Sequence, residues 1–216
     1  MKNLLALFAS AIVLSTCAII FTGPVSAQTD EEGGMIKTAK GVLVVWNEPG
    51  NYYTIEIKGE KILPASQPLL FQVDGTFFQI QTVEKKAFLK DPNDNMLDGK
   101  AILSAHRDWE GDYISKVIGK TLKIDSEWIK LSNNIDALAW SYDMPKVMVN
   151  DSKTARRQLY LAIVKRDHVF LLNGAVTGND DEKTLRQLLV DTMNTLKSSD
   201  KPLSLEKARE QVMKEN

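Results

Sequence analysis

The chain has 216 residues, with 27 basic and 28 acidic side chains, two histidines and a single cysteine. This near-neutral balance gives no support for nucleic-acid binding, which requires a basic surface. The cysteine, Cys17, lies in an apolar N-terminal segment, so removal of that segment leaves no disulfide, thiol nucleophile or cysteine metal site. We therefore expect no cofactor and no metal, and stability must come from core packing.

Residues 1–27 have the pattern of a secretory signal peptide. Lys2 precedes a mostly apolar run from Leu4 to Phe21, and Val25-Ser26-Ala27 offers small residues at the spacing that a signal peptidase recognises. We expect cleavage near Ala27 and an extracytoplasmic location, either periplasmic or secreted. Two alternatives stay open. The run is long enough to be retained as a membrane anchor, and Cys17 stands in a sequence that partly matches a lipobox.

The first predicted elements after the signal are two β-hairpins. Residues 28–40 are polar and contain glycine, which predicts a flexible leader. The fold is expected to begin at Gly41, with strands on either side of a Pro49-Gly50 turn. A second hairpin is predicted around Asp74-Gly75, because both central residues of such a turn need positive φ.

The polar segment 90–99 begins like a calcium-binding loop, but its register fails. Met96 stands where the loop requires glycine, and Ile102 stands where the closing acid belongs. A solvated loop that leads into the next helix is the better interpretation.

A helix is predicted from Lys100, capped by Asp98 and ended by Gly119. Its apolar stripe, at steps of three and four, consists of Ile102, Trp109, Tyr113 and Val117, with His106 on the same stripe. His106 is therefore expected at the core or its margin, and Glu110, four residues on, can contact it. These two are the weak candidates for a catalytic site. No third ligand is near in sequence, so a packed histidine is the preferred interpretation.

The remaining strands and the last core helix show clear patterns. The segment from Arg156 to Gly178 predicts a long hairpin, and residues 159–164 are apolar on both faces, which indicates a strand covered on both sides. His168 is assigned to the exposed turn of that hairpin. An amphipathic helix is predicted within residues 182–197. The charged tail at 198–216 can add a short helix capped by Ser204, with loose attachment at best.

Sequence motifs for catalysis are missing from the chain. It contains no dinucleotide-binding or phosphate-binding glycine motif, no GxSxG nucleophile elbow and no HExxH metal motif. Two carboxylates distant in sequence can still meet in space, so the absence of motifs lowers the expectation of an enzyme without removing it.

The predicted elements follow the order hairpin, hairpin, helix, strands, long hairpin and amphipathic helix. The last two elements are the runs RRQLYLAIVKRDHVFLLNGAVTG and EKTLRQLLVDTMNTL. In this order and in these two runs, the chain resembles the PsbP-like superfamily over residues 41–197. The resemblance implies an α+β fold, in which one domain has an antiparallel β-sheet packed between α-helices. Members of this family mostly act as binding or assembly accessories. The resemblance carries no catalytic motif, so it transfers no site residue.

The leading hypothesis is therefore a non-enzymatic extracytoplasmic binding or assembly-accessory protein. Its partner is expected to be a protein of the cell envelope, with no nucleic acid, and with membrane contact only through the N-terminal segment if that segment is not cleaved. The alternative is a secreted hydrolase or metal-binding enzyme that uses His106, Glu110 and a distant carboxylate. A third class, a protein that binds a lipid or small molecule, requires a deep apolar pocket between sheet and helix.

Overall fold

Two antiparallel sheets and three helices make up the described part of the chain, which is residues 33–92, 97–145, 154–178 and 180–215 of the computed structural model. The smaller sheet has the order β1 (Gly33–Thr38), β2 (Gly41–Glu48), β3 (Asn51–Lys58) and β11 (Lys197–Ser199). The larger sheet has the order β4 (Ile62–Pro64), β5 (Leu70–Val73), β6 (Thr76–Glu84), β10 (His168–Val176), β9 (Arg157–Lys165), β8 (Asp136–Asp143) and β7 (Ile124–Lys130). The helices are α1 (Gly99–Ile118), α2 (Glu182–Asn194) and α3 (Leu205–Glu215).

Local turn and cap chemistry produces the elements that were predicted most directly. Strands β2 and β3 pair up to Glu48 and Asn51, which leaves Pro49 and Gly50 as the turn. Asp74 and Gly75 have φ values of 49° and 94°, as a two-residue hairpin turn between β5 and β6 requires. Both hairpin predictions are confirmed.

The bounds of α1 follow from its two caps. The Asp98 carboxylate accepts a hydrogen bond of 2.7 Å from the Ala101 backbone N–H, which satisfies one of the free donors of the first turn. Gly119 ends the helix in the left-handed region at φ 72°, where a residue without a side chain is favoured. Both caps agree with the sequence prediction.

The larger sheet is covered on both faces. Helix α1 packs on one face, over β8 and β9. Helix α2 and the inner face of the smaller sheet pack on the other face, where Tyr53 of β3 meets Phe170 of β10 edge-to-face at 4.9 Å. The prediction of an α+β fold with an antiparallel sheet between helices is confirmed. The separate smaller sheet was not predicted.

The start of the domain was predicted too late in the chain. Residues 33–38, assigned to a flexible leader, form β1, which pairs with β2 along its whole length. Ile36 of β1 is buried against α3 and Val45 of β2. The fold therefore includes residues 33–38, because β1 extends the smaller sheet beside β2 and α3 packs on the apolar outer face of both strands.

The C-terminal tail is an integral part of the fold. Helix α3 forms as expected, with Ser204 Oγ accepting from the Lys207 backbone N–H at 3.2 Å. Its attachment is firm, since Leu205 and Val212 are buried. Asn47 of β2 also exchanges two hydrogen bonds with the backbone of Leu203, at 2.7 and 2.8 Å. The prediction of loose attachment is wrong.

Some predictions fall on residues outside the described part of the chain. These are the signal peptide at 1–27 with its cleavage near Ala27, the lipobox-like sequence at Cys17, and the middle of the calcium-like loop at residues 93–96. Within the described residues, none of the helices combines the length and apolar character needed to cross a bilayer.

Candidate functional site

His106 lies on the inner face of α1. The buried side of the helix consists of Ile102, Leu103, His106, Glu110, Gly111 and Ile114. Of the predicted stripe, Ile102 and His106 face the sheet, whereas Trp109 is only half-buried and Tyr113 and Val117 are exposed, so its second half is turned away from the sheet. The cause is Gly111, whose missing side chain lets the helix approach Ile124 so closely that a Cβ would lie 2.4 Å from its Cδ1.

The imidazole of His106 is sealed from solvent, with 0% of the residue exposed. Phe88 packs edge-on against it at a centroid distance of 5.2 Å, and the Trp109 ring lies 6.0 Å away. Neither ring nitrogen has a hydrogen-bond partner among the described residues. Burial lowers the pKa of His106 to about 4, so the ring is neutral at neutral pH.

Glu110 is buried one turn further along α1, close enough to two tyrosines of the larger sheet for its charge to act on them. Burial is the main cause that raises the pKa of Tyr142 to about 12, and the negative charge of Glu110 adds to it. Burial also holds the pKa of Tyr160 well above its usual value, with further contributions from Tyr142 and Glu110. The structure thus places His106 and Glu110 on the same face, in an aromatic layer rather than at an open cleft.

This arrangement does not favour the hydrolase or metal-enzyme alternative. A general base must reach its substrate, and His106 has no path to solvent in this conformation. In the described ranges, no three His, Cys, Asp or Glu side chains gather in a way that could hold a metal ion. A catalytic role for His106 and Glu110 stays a prediction.

The other histidine lies at the start of a strand. His168 is the first residue of β10 and sits opposite Lys165 of β9 and Glu84 of β6. The hairpin turn itself consists of Arg166 and Asp167, so the assignment of His168 to an exposed turn is wrong by one residue. Pairing on both sides half-buries it.

A charged cluster at one end of the larger sheet is held together by one arginine. Arg157 of β9 donates to Asp143 at 2.7 Å, to Asp125 at 3.0 Å and to Ser141 at 2.8 Å. Its Nε lies 3.5 Å from Glu182, the first residue of α2. The arginine thus ties three strands and a helix together, and the cluster is structural.

The interior between the larger sheet and α2 is too tightly packed for a ligand. The cavity there, lined by Leu159, Tyr160 and Leu189 among others, measures about 10 Å³. That volume is at the lower limit for a single water molecule. The cavity therefore does not provide the deep apolar pocket that a lipid-binding or small-molecule-binding protein requires.

A much larger concave surface lies on the outer face of the smaller sheet, beside α3. We call it the α3 groove; its volume is about 820 Å³. Its lining residues are Thr38, Ala39, Lys40, Leu43, Thr54, Glu56, Thr195, Lys197, Ser198, Ser199, Pro202, Leu203, Ser204, Lys207, Ala208, Gln211 and Val212. The groove is therefore built by the β1–β2 turn, the outer face of β2 and β3, β11 and one side of α3.

Positive charge predominates in the α3 groove. Lys40, Lys197 and Lys207 are exposed, and none of them forms an ion pair with another described residue. The acid in the groove is Glu56, whose carboxylate accepts a hydrogen bond of 2.9 Å from the Thr38 hydroxyl. Hydroxyl groups and an apolar floor complete the lining, so the groove can bind a chain that carries both negative charges and apolar groups.

Sequence reasoning missed the α3 groove because its walls come from the two ends of the domain. Residues 33–40 were assigned to the leader and residues 198–216 to the tail. One signal was available in the tail: Leu205, Ala208 and Val212 follow each other at steps of three and four, which is the apolar spacing of a packed helix.

Comparison with known proteins finds similarity among solved structures. No protein-family model and no curated protein matches the chain. Among solved structures, the chain is similar to the solution structure of cyanobacterial PsbP (CyanoP) from Synechocystis sp. PCC 6803, with 11% sequence identity and a TM-score of 0.41. The alignment covers 87% of this chain and 99% of that chain. At this level no residue role passes between the two proteins, and the fold class stands on the sheets and helices described above.

Proposed function

We propose that the protein is a non-enzymatic binding or assembly-accessory protein that acts outside the cytoplasm, and that an acidic segment of a protein partner binds in the α3 groove. The observation that carries this proposal is the set of three lysines without ion-pair partners around one groove. The extracytoplasmic location is supported by the signal-like pattern of residues 1–27.

Charge complementarity selects an acidic partner. The chain as a whole has a formal charge of −1, so a groove with Lys40, Lys197 and Lys207 against a single acid stands out from its average surface. Lysines that lack partners in the same chain attract carboxylates of another chain and steer its approach. Such steering weakens as the salt concentration rises.

The shape and lining of the groove favour a polypeptide segment. A volume of about 820 Å³ falls within the range of clefts that bind small ligands, so the groove can take a few side chains of a partner rather than a whole domain. Leu43 of β2 together with Leu203, Ala208 and Val212 gives an apolar floor that can bury side chains of the partner. The serine and threonine hydroxyls of the rim can bond to a partner backbone. We therefore expect a segment in which acidic and apolar residues alternate or cluster.

The proposal is tested by capture of partners from the native cell envelope, with residues 28–216 as bait. Three baits are compared: the wild type, a groove variant with Lys40→Glu, Lys197→Glu and Lys207→Glu, and a control with Lys116→Glu, Lys120→Glu and Lys183→Glu. The control changes the net charge equally, at exposed lysines away from the groove. We expect one protein to be retained by the wild type and the control and lost from the groove variant. Equal retention by all three baits would contradict the proposal.

A further inference from the structure

The charges that line the α3 groove alternate in sign along β3. Glu56 lies on the outer face of β3 and lines the groove. Lys197 of β11 is directly opposite Thr54, which precedes Glu56 by two residues on the same face. On the other side, the backbone carbonyl of Lys40 accepts a hydrogen bond of 3.1 Å from the backbone N–H of Gly59. Because Gly59 follows Glu56 along the chain, the acid lies between two lysines along the strand.

The third lysine lies at the Lys197 end of the groove. Lys207 is in the first turn of α3, two residues after Leu205. The side chain of Leu205 packs against Gly34 of β1, where a Cβ would lie 3.0 Å from its Cδ2. Gly34 belongs to the row across the smaller sheet that ends at Thr54 and Lys197. Two lysines therefore flank Glu56 on one side, and one lysine flanks it on the other.

The charge of Glu56 has no cationic partner among the described residues. Its Oε1 accepts a hydrogen bond of 2.9 Å from the Thr38 hydroxyl. No ion pair within the described ranges includes this carboxylate. The side chain is half-buried, so a charged group of a partner can reach it. A carboxylate in this position attracts a cation and repels a second carboxylate. An uninterrupted acidic segment would therefore meet repulsion at the centre of the groove.

The groove has the length of a short extended segment. It reaches from Ser199, opposite Tyr52, to Lys40, which bonds to Gly59. The strand from Tyr52 to Gly59 corresponds to about 23 Å at the usual rise per residue. Side chains on one face of an extended chain recur at every second residue, about 6.7 Å apart. A segment that lies along β3 therefore brings every second side chain against the alternating charges.

We propose that the segment bound in the α3 groove carries one basic residue at its centre, in the pattern acidic–x–basic–x–acidic, and that Glu56 selects this residue. The inference rests on the proposed function and narrows it. The central lysine or arginine of the segment pairs with Glu56. The acidic residues two positions before and after it pair with Lys197 and Lys207 at one end and with Lys40 at the other. The pattern is symmetric, so it fits either direction of the segment.

Two peptides of identical composition test this selection. Acetyl-Glu-Leu-Lys-Leu-Glu-amide has its lysine at the centre, and acetyl-Lys-Leu-Glu-Leu-Glu-amide has it at one end, so their charge and apolar content are equal. Dissociation constants are measured by NMR titration of the protein at low salt. We expect the wild type to bind the first peptide about fivefold more tightly. Glu56→Gln should remove this difference. Glu60→Gln, an equal change of charge at an exposed acid outside the groove, should retain it.

Equal affinity of the wild type for the two peptides would overturn the inference, as would a preference that Glu56→Gln leaves unchanged. Its failure is distinguishable from that of the proposed function. Equal binding that is lost with Lys40→Glu, Lys197→Glu and Lys207→Glu would leave an acidic-segment site without selection by Glu56. If neither peptide shifts the amides of the groove, both the inference and the proposed function are contradicted. The comparison of the two peptides on the wild type decides the question even where Glu56→Gln does not fold.

Discussion

The indole ring of Trp140 lies flat on the phenol ring of Tyr160, with ring centroids 3.7 Å apart and planes 2° from parallel. The two residues are directly opposite each other on β8 and β9, and both are buried under α1. Cross-strand aromatic pairs of this kind stabilise a sheet by more than the burial of their apolar area accounts for. This stack is therefore expected to be a main anchor of the α1 face.

Replacement of Trp140 by alanine should cost about 3–5 kcal/mol in the free energy of unfolding, because the indole is fully enclosed. Trp109→Ala should cost less, since that ring is half-buried, and Trp128→Ala should cost least, since Trp128 is 40% exposed. Urea denaturation of the three variants gives the order directly. An equal cost at all three positions would show that the described packing of α1 on the sheet is wrong.

The stability of the protein should depend on the protonation of His106. Its pKa is about 4 in the folded chain and about 6.5 in the unfolded chain. Because the folded value is the lower one, the unfolded chain binds the proton first as the pH falls. The contribution of neutral His106 to the free energy of unfolding is therefore fully present above about pH 6.5, and it is lost progressively as the pH falls towards 4. Between about pH 7.5 and about pH 5 the loss should be about 2 kcal/mol.

The variant His106→Gln isolates this contribution, since glutamine does not titrate. The free energy of unfolding is measured by urea denaturation at both pH values for the wild type and the variant. We expect the pH-dependent loss to be about 2 kcal/mol smaller in the variant. Parallel pH profiles would contradict the burial of a neutral imidazole.

Replacement of Gly75 should lower the stability of the protein through backbone strain, without a steric clash. Its φ is 94°, and a Cβ built there meets nothing within 4 Å. We expect Gly75→Val to cost about 1–2 kcal/mol, because a β-branched residue is strained at positive φ. Gly75→Asn should cost less, because asparagine tolerates the left-handed region better. Thermal melts of the two variants separate strain from steric clash, and an equal cost would argue against strain.

The N-terminus of the mature protein should be Gln28. We expect cleavage after Ala27, since the small residues before it match the requirement of a signal peptidase. Intact-mass spectrometry of protein isolated from its native source measures this directly. A chain that retains Met1, or one that begins at a lipid-modified Cys17, would contradict the prediction.

The elements that were predicted correctly depend on residues close together in sequence. Asp74 and Gly75 determine their hairpin through their own backbone preferences, and the caps of α1 depend on Asp98 and Gly119 within one turn of the helix ends. The burial of both faces of β9 could be predicted because six successive residues of the strand, 159–164, are apolar. Such information is local, so a single sequence contains it.

The features that were missed depend on contacts between distant segments. Helix α1 carries two apolar stripes, and Ile124 of β7 selects between them by packing against Gly111. Likewise, the sequence of β1 is too polar to predict a strand, and its strand structure depends on pairing with β2. The attachment of the tail depends on the hydrogen bond from Asn47 to the backbone of Leu203, which is distant from Asn47 in sequence. The α3 groove combines residues 38–56 with residues 195–212, so no local pattern could reveal it.

The central claim is that the α3 groove binds an acidic polypeptide segment, and NMR titration tests it most directly. A synthetic peptide of glutamate and leucine is added to the labelled domain, and backbone amide shifts are followed at low and high salt. We predict saturable shifts at Lys40, Lys197, Lys207 and their neighbours, which weaken with salt. They should persist with Lys116→Glu, Lys120→Glu and Lys183→Glu, and vanish with Lys40→Glu, Lys197→Glu and Lys207→Glu. Shifts centred elsewhere, or equal binding by both triple variants, would contradict the account.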